Sequence, residues 1–118
     1  NNDREQQYQY LLENYDKNSN TELKFLRFLH QNSYILPDKA QVNIKELYIS
    51  ADFVYNTANG PNLIFCDGSV HDLDKVKEDD KEKRGLLREA GYDIIEWYYT
   101  EPLEDLVTRR KDIFRKIK

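Results

Sequence analysis

Apolar residues recur every three or four positions in the first third of the chain, which is the spacing of amphipathic helices. A first helix is predicted near the N-terminus from Tyr8, Leu11, Leu12 and Tyr15. A polar break, DKNSN, ends it, and a second helix is predicted from Leu23, Leu26 and Leu29, with Phe25 and Phe28 widening the apolar side.

The middle of the chain alternates with a period of two, as expected of β-strands. In ELYISADFVY, one face should carry Leu47, Ile49, Ala51, Phe53 and Tyr55, and the other Tyr48, Ser50, Asp52 and Val54. Val42 and Ile44 predict a short strand before it. The Asn59-Gly60 pair is a hairpin signal, so the strand from Asn62 to Cys66 should return antiparallel.

The last part predicts a helix, a strand and a helix. A charged helix is expected from about Lys75 to Ala90, with Gly91 as the residue that ends it. YDIIEWYY reads as a strand, and Thr100 should cap a final helix that carries Leu103, Leu106 and Val107.

This order predicts an α/β fold with a mixed central β-sheet. The helical crossover from Cys66 to Tyr92 should make the strands it joins parallel, whereas the preceding strands form an antiparallel meander. We therefore expect an αβββαβ core flanked by helices. We divide the chain into an N-terminal helix (1–18), a core (19–107) and a basic C-terminal tail (108–118).

Composition bounds the possible classes of protein. A chain of 118 residues that is 39% hydrophobic is sufficient for one folded domain. It has no apolar run of about 18 residues, so we expect no membrane partner. The single cysteine, Cys66, excludes an internal disulfide and favours a cytoplasmic location. Because the sequence opens at NNDREQQ and has no methionine, we interpret it as a domain of a longer protein.

The charge is uneven. The net charge is −4, but residues 108–118 hold six basic residues and one acidic residue, which leaves −9 for the rest. Such a tail could lie along a phosphate backbone, with Arg109, Arg110 and Lys111 making the contacts. Alternatively, it is a solvated helix end whose cations lie near the C-terminal dipole.

The stretch LIFCDGSVHD contains candidate metal-binding and catalytic residues. Asp67 ends an apolar strand, Asp52 interrupts the neighbouring strand, and the hairpin should bring both toward one rim of the sheet. Two close carboxylates repel unless one is protonated or a cation lies between them. Mg²⁺ prefers oxygen ligands, and His71 could transfer a proton. The cluster predicts metal-assisted phosphodiester cleavage.

Each of these residues also has an interpretation without function. Asp67-Gly68 is a common turn pair, and a histidine in a loop such as His71 is often only a surface residue. Asp52 is harder to explain in this way, because a carboxylate inside a strand is costly to bury unless it is paired or binds a ligand.

Two residues elsewhere are equally ambiguous. Lys83 could reach a phosphate or a carboxylate of the site, or it could simply pair with Asp80 one helical turn away. Glu22 shares a face with apolar residues and could point inward. It could also complete a capping box with Ser19, which is our preferred interpretation.

Four motifs together resemble a known family. They are ADF at Ala51–Phe53, DGSVH at Asp67–His71, the helix residues Asp80, Lys83, Arg84, Leu87 and Gly91, and IIEW at Ile94–Trp97. The chain resembles the restriction-endonuclease-like PD-(D/E)XK nuclease fold. Within it, the chain is most similar to the very-short-patch-repair endonuclease branch and its uncharacterised relatives.

The resemblance implies a set of roles. Asp52 would be the central ligand of Mg²⁺ or Mn²⁺, Glu22 the acid of the first core helix, and Asp67 a second acid. The main-chain carbonyl of Cys66 would complete the metal shell, and His71 would be the histidine of the family's D-G-x-x-H motif. We expect Lys83 to steady the scissile phosphate.

The leading hypothesis is therefore a metal-dependent DNA endonuclease domain, with DNA as its partner. The resemblance further implies a C-terminal module linked to a helicase or an anti-phage defence protein. Phe65 and Ser69 stand where the family has a glutamate and a lysine, which favours an inactive module that only binds DNA or a partner domain. An interaction domain unrelated to nucleic acid is a third hypothesis, and the oligomeric state is left open.

Overall fold

The computed structural model describes residues 2–69 and 73–117. Two helices come first, then three strands, a helix, a strand and a short helix. Their bounds are α1 Asn2–Asn14, α2 Asn20–Gln31, β1 Lys39–Ile44, β2 Ile49–Thr57, β3 Gly60–Asp67, α3 Asp74–Glu89, β4 Asp93–Tyr98 and α4 Leu103–Arg109.

The four strands form one sheet in the order β1-β2-β3-β4. The β1–β2 and β2–β3 pairs are antiparallel, and β3 and β4 are parallel across the α3 connection. The prediction of an α/β fold with a mixed central sheet and flanking helices is confirmed.

Helices cover both faces of the sheet. Along β3, Ile64 and Cys66 belong to a large buried cluster that includes Leu11 of α1, Phe25 of α2 and Leu106 of α4. The alternate residues of β3, Leu63 and Phe65, belong to a smaller cluster with Leu87 of α3. The molecule therefore has three layers, with the sheet in the middle.

The alternation of β2 reverses at Asp52, which corrects the prediction of one continuous apolar face. Ile49 and Ala51 lie in the cluster beside α3. Phe53 and Tyr55 lie in the cluster on the other side. Residues two apart on a regular strand share a face, so the strand changes its phase between Ala51 and Phe53.

The cause of the reversal lies in the pairing of the strands. The β2–β3 register runs from Thr57↔Gly60 to Phe53↔Ile64. Next to that point the Asp52 carboxylate accepts a hydrogen bond from the Cys66 main-chain amide, at 2.7 Å. On the other side of β2, Gln41 has a φ of +52°, which an L-residue rarely adopts.

The glycine signals in the sequence predicted two turns correctly, whereas the predicted start of β2 and the predicted cap of α4 were wrong. Gly60, with a φ of +107°, ends the predicted hairpin turn, and Gly91, with a φ of +94°, follows α3 as predicted. The strand β2 begins at Ile49 rather than Leu47, because residues 45–48 form a turn. The prediction of Thr100 as a cap is wrong, since Pro102 occupies the N-cap of α4.

Both ends of the chain pack on the predicted core. Leu11 of α1 is fully buried, and Ile113 and Phe114 join the same cluster. The C-terminal segment is also held by main-chain bonds: Ile35 donates to Arg115, at 2.7 Å, and Ile117 donates to Ser33, at 2.8 Å. Within the described ranges, no helix is long and apolar enough to cross a membrane.

The start of α2 lies against the end of β3 at Gly68. A Cβ atom at Gly68 would lie 2.9 Å from Thr21 Oγ1. We expect Gly68→Ala to destabilise the protein by about 1 kcal/mol, because the overpacking outweighs the reduced entropy of the unfolded chain. Chemical denaturation measures this difference.

The control is Gly85→Ala in α3, where an added Cβ meets no atom within 4 Å. It should stabilise by about 0.8 kcal/mol through helix propensity. The Gly68 penalty should shrink in a Thr21→Ala background. An equal penalty with and without the Thr21 hydroxyl would show that the close approach is not its cause.

Candidate functional site

A polar cavity of about 690 Å³ opens where α2 begins and where β3 ends. Its lining includes residues from α2, β2, β3 and α3. Five of the predicted site residues are among them, namely Glu22, Asp52, Cys66, Asp67 and Lys83. The sixth, His71, lies outside the described residues, so its predicted role in proton transfer stays a prediction.

Glu22 points into the cavity instead of completing a capping box. Ser19 does cap α2, since its hydroxyl accepts from the Glu22 main-chain amide at 3.2 Å. The Glu22 carboxylate, however, accepts from Gln41 Nε2 at 2.9 Å and from the Asp16 amide at 3.3 Å. With 3% exposure, this carboxylate is a buried group of the site.

Glu22 and Asp52 form a pair of acids that resist ionisation. Burial raises the pKa of Glu22 to about 8, and the charge of Asp52 adds to this effect. Burial also raises the pKa of Asp52 to about 6, and the charge of Asp67 contributes; the Cys66 amide and Arg84 oppose it. A cation beside this pair would favour its ionised form.

Asp67 is different, because the protein supplies its counter-charge. Arg84 of α3 donates to both of its carboxylate oxygens, each at 2.7 Å. The same guanidinium donates to Glu96 at 2.6 Å and lies over the Phe65 ring, 4.4 Å from its centre. Asp67 thus shares the cavity as predicted, but Arg84 already takes part of the role expected of a metal ion.

Arg84 was named only as one residue of the helix motif, without a role, yet it is part of the site. Lys83 was the basic residue expected to reach the site, but it is exposed. Arg84 and Leu87 are the buried residues of this helix. Asp67 was a possible signal, since a carboxylate that ends a buried strand needs a buried partner.

Gln41 was also missed. It donates to Glu22 from β1 while in a left-handed conformation. In the sequence it appears only as one polar residue in a short strand, with no motif around it. Side chains that support a site in this way leave no periodic signal.

Cys66 can contribute its main chain but not its thiol. The side chain lies in the larger buried cluster, and burial raises the pKa of the thiol well above its usual value. The Cys66 amide faces β2, where it donates to Asp52. The Asp67 carbonyl faces the other way and accepts from the Tyr99 amide. Because backbone groups of successive strand residues alternate in direction, the Cys66 carbonyl also faces the Asp52 side.

The residues fit a hydrated divalent cation. Among the residues described, no three His, Cys, Asp or Glu side chains form a group that could hold a metal by themselves. The cavity does offer the carboxylates of Glu22 and Asp52 and the Cys66 carbonyl. Mg²⁺ is commonly bound by one or two carboxylates while it keeps several waters, and 690 Å³ leaves room for them.

Comparison with known proteins gives no relative. No family model, no curated protein and no solved structure matches this chain. The resemblance of its motifs to the PD-(D/E)XK nucleases therefore stays a prediction. Function has to be argued from the geometry of the cavity.

The Asp67–Arg84 pair yields a prediction about stability. Arg84→Gln should destabilise the protein by about 3 kcal/mol, because it leaves a buried carboxylate without its partner. Arg88→Gln is the control: Arg88 also donates to Glu96, but its side chain is 52% exposed, so the loss should stay below about 1 kcal/mol. Urea unfolding at pH 7 compares the two variants. Equal losses of stability would contradict the conclusion that Arg84 is the buried partner of Asp67.

The acid pair yields a prediction about pH. A group whose pKa is raised on folding contributes stability that is lost as the pH rises through its folded pKa. We therefore expect Glu22→Gln to match the wild type near pH 4 and to exceed it by at least about 1 kcal/mol at pH 8.5, since one pKa unit corresponds to about 1.4 kcal/mol.

The glutamine can still accept from Gln41 and Asp16, so the substitution removes mainly the charge. Thermal unfolding across this pH range measures the effect. The exposed Glu82→Gln serves as control and should follow the wild-type curve. If Glu22→Gln followed the same stability-versus-pH curve as the wild type, the Glu22 carboxylate would not be buried in charged form at high pH.

Proposed function

We propose that this chain is a metal-dependent DNA endonuclease domain that hydrolyses phosphodiester bonds at the polar cavity. The observation that carries this proposal is the pair formed by Glu22 and Asp52. Both carboxyls face one open cavity, and both have a raised pKa. Holding two such acids together is unfavourable for the protein alone and becomes favourable with a divalent cation.

The topology supports the same proposal. From α2 to β4 the chain runs helix, three strands, helix, strand, which is the order of the restriction-endonuclease-like core. The meander followed by a parallel crossover is compatible with that fold. Fold alone does not specify function, so the argument rests on the acids and not on the topology.

Each residue of the cavity has a defined part in the proposal. Glu22, Asp52 and the Cys66 carbonyl would hold Mg²⁺ or Mn²⁺, which when bound activates water and polarises a phosphoryl oxygen. Lys83, exposed and on the lining of the cavity, would contact the phosphate. The proton-transfer role of His71 is retained as a hypothesis.

Arg84 has a positioning role rather than a direct one. Asp67 and Glu96 hold its guanidinium, and Phe65 lies beneath it. Its charge lowers the pKa of Asp52. Together with Arg88, which also donates to Glu96, it balances the charges of Asp67 and Glu96, so that an added cation would be drawn to the Glu22 side.

One observation favours a second candidate, a nuclease-fold module that binds DNA or a partner domain without cleaving. Phe65 stands where the family has an acid, and here it packs under Arg84. Asp67 is also engaged at both oxygens. In this alternative the cavity is a structural remnant. A linked helicase or defence domain and a cytoplasmic location remain predictions under either candidate.

The test is a plasmid-nicking assay with Mg²⁺ or Mn²⁺ and an EDTA control. We expect Glu22→Gln and Asp52→Asn to reduce cleavage to the EDTA level, because each removes a charge that holds the cation. Glu82→Gln on the exposed side of α3 should cleave like the wild type. Equal nicking by all four proteins would exclude the proposed site.

The second candidate gives a different result. A wild type that binds DNA but nicks neither plasmid nor single strands in either metal would favour the inactive module. His71→Gln belongs in the same assay. If it cleaves like the wild type across pH, the proton-transfer role expected of His71 is excluded.

A further inference from the structure

The basic C-terminal segment is partly neutralised by the fold. Arg109 donates to both carboxylate oxygens of Glu101, at 2.8 and 2.9 Å. Arg110 pairs with Asp93 and Asp112, each at 2.9 Å. Two of the three residues expected to contact phosphate are therefore committed to ion pairs inside the protein.

Five other basic residues are not neutralised. They lie on α2 and on the C-terminal segment, and they are Lys24, Arg27, Lys111, Arg115 and Lys116. All five are exposed, and none makes an ion pair with another residue that the structure describes. In a chain with a net charge of −4, this is a local concentration of free positive charge.

These residues border two neighbouring grooves. The first, about 560 Å³, has Lys24, Arg27 and Gln31 beside Leu23, Phe28 and Leu103. The second, about 290 Å³, has Lys111, Arg115 and Lys116 beside Tyr34, Val107 and Phe114. The grooves meet where the Phe28 and Tyr34 rings stack, with centres 5.8 Å apart. Both thus combine cationic edges with an apolar floor.

The first groove adjoins the acid cavity. Asn20, the first residue of α2, lines both. Lys24, Arg27 and Gln31 follow it at the spacing of one helix face. At 1.5 Å per residue, this face extends about 16 Å from the cavity, which is the length of several phosphates along a nucleic-acid strand.

We propose that Lys24, Arg27, Lys111, Arg115 and Lys116 form a basic track that binds the phosphate backbone of DNA and leads it to the acid cavity. This inference rests on the proposed function, since it names the surface on which the same site holds its substrate. The partner is a nucleic acid because the cations form a line that matches a linear polyanion. The aromatic floor offers stacking and sugar contacts as well.

The track would also offset the electrostatic repulsion between the acidic site and a phosphate backbone. Phosphates are repelled by an acidic protein and by the Glu22–Asp52 pair unless a cation is bound. Free cations beside the cavity create a local attraction for phosphate in a chain whose net charge is negative. Binding should therefore depend on salt and should already occur in EDTA, whereas cleavage requires the metal as well.

The experiment is fluorescence anisotropy of the 118-residue chain with a labelled 20-base-pair duplex and a 20-nucleotide single strand, in EDTA. Each phosphate contact with duplex DNA contributes about −0.9 to the slope of log affinity against log salt. Lys24→Gln/Arg27→Gln and Lys111→Gln/Arg115→Gln should each reduce that slope by about 2 and weaken binding at low salt by about tenfold or more.

The matched control is Lys75→Gln/Lys81→Gln on α3, which removes the same charge from exposed residues that line neither groove. Equal losses in the control and the track variants, or wild-type slopes in the track variants, would overturn the track. Binding of the track to phosphatidylglycerol vesicles but not to DNA would also overturn it. Circular dichroism melts verify that every variant is folded.

The result is separable from the proposed function. Glu22→Gln and Asp52→Asn should bind DNA in EDTA at least as tightly as the wild type, because they remove only negative charge. Track-dependent binding without any cleavage would keep the track and reject the endonuclease. If Lys24→Gln/Arg27→Gln cleaves DNA as fast as the wild type, the endonuclease is kept and the track is rejected.

Discussion

The bond between the Asp52 carboxylate and the Cys66 main-chain amide is the interaction on which the rest of the site depends. Here the Asp52 side-chain oxygen accepts from the Cys66 amide next to the Phe53↔Ile64 pair of β2 and β3. The strand changes its phase at the same residue, with Ala51 on one face and Phe53 on the other. An acid that satisfies a buried donor can be retained inside a sheet, and the resulting break in the ladder is where the cavity opens.

The two sides of the cavity differ in the source of the positive charge that stabilises their carboxylates. On the α3 side, Arg84 donates to Asp67 and Glu96, and Arg88 donates to Glu96, through short charge-assisted bonds. On the α2 side, Glu22 and Asp52 receive neutral donors, and burial raises the pKa of both. The protein therefore stabilises one acid group itself and leaves the other to protons or to a bound cation. This asymmetry explains why only one half is a candidate metal site.

Local sequence signals predicted the elements well and the contacts between elements less well. The hairpin at Gly60 and the end of α3 at Gly91 depend on backbone conformations that glycine favours, so short motifs sufficed. The approach of Asp52 and Asp67 followed from topology, whereas Glu22 was expected to complete a capping box and instead faces the cavity. The choice of Arg84 over Lys83 did not follow from topology, because a shift of one residue on a helix is decided by packing against the sheet.

The acidic residues of the cavity and the basic residues of the neighbouring surface lie in separate parts of the molecule. In the proposed function, an acid pair that holds a metal ion would repel a polyanion, so affinity for DNA would have to come from another part of the surface. The ion pairs of Arg109 and Arg110 show that the fold does not leave all of its cations free. Five cations that form no ion pair among the described residues lie along α2 and the C-terminal segment, and Asn20 lines both the cavity and the first groove of that surface. Under this proposal, binding and chemistry would be governed by different residues, since the track would act through long-range charge and the acids only where a cation is held.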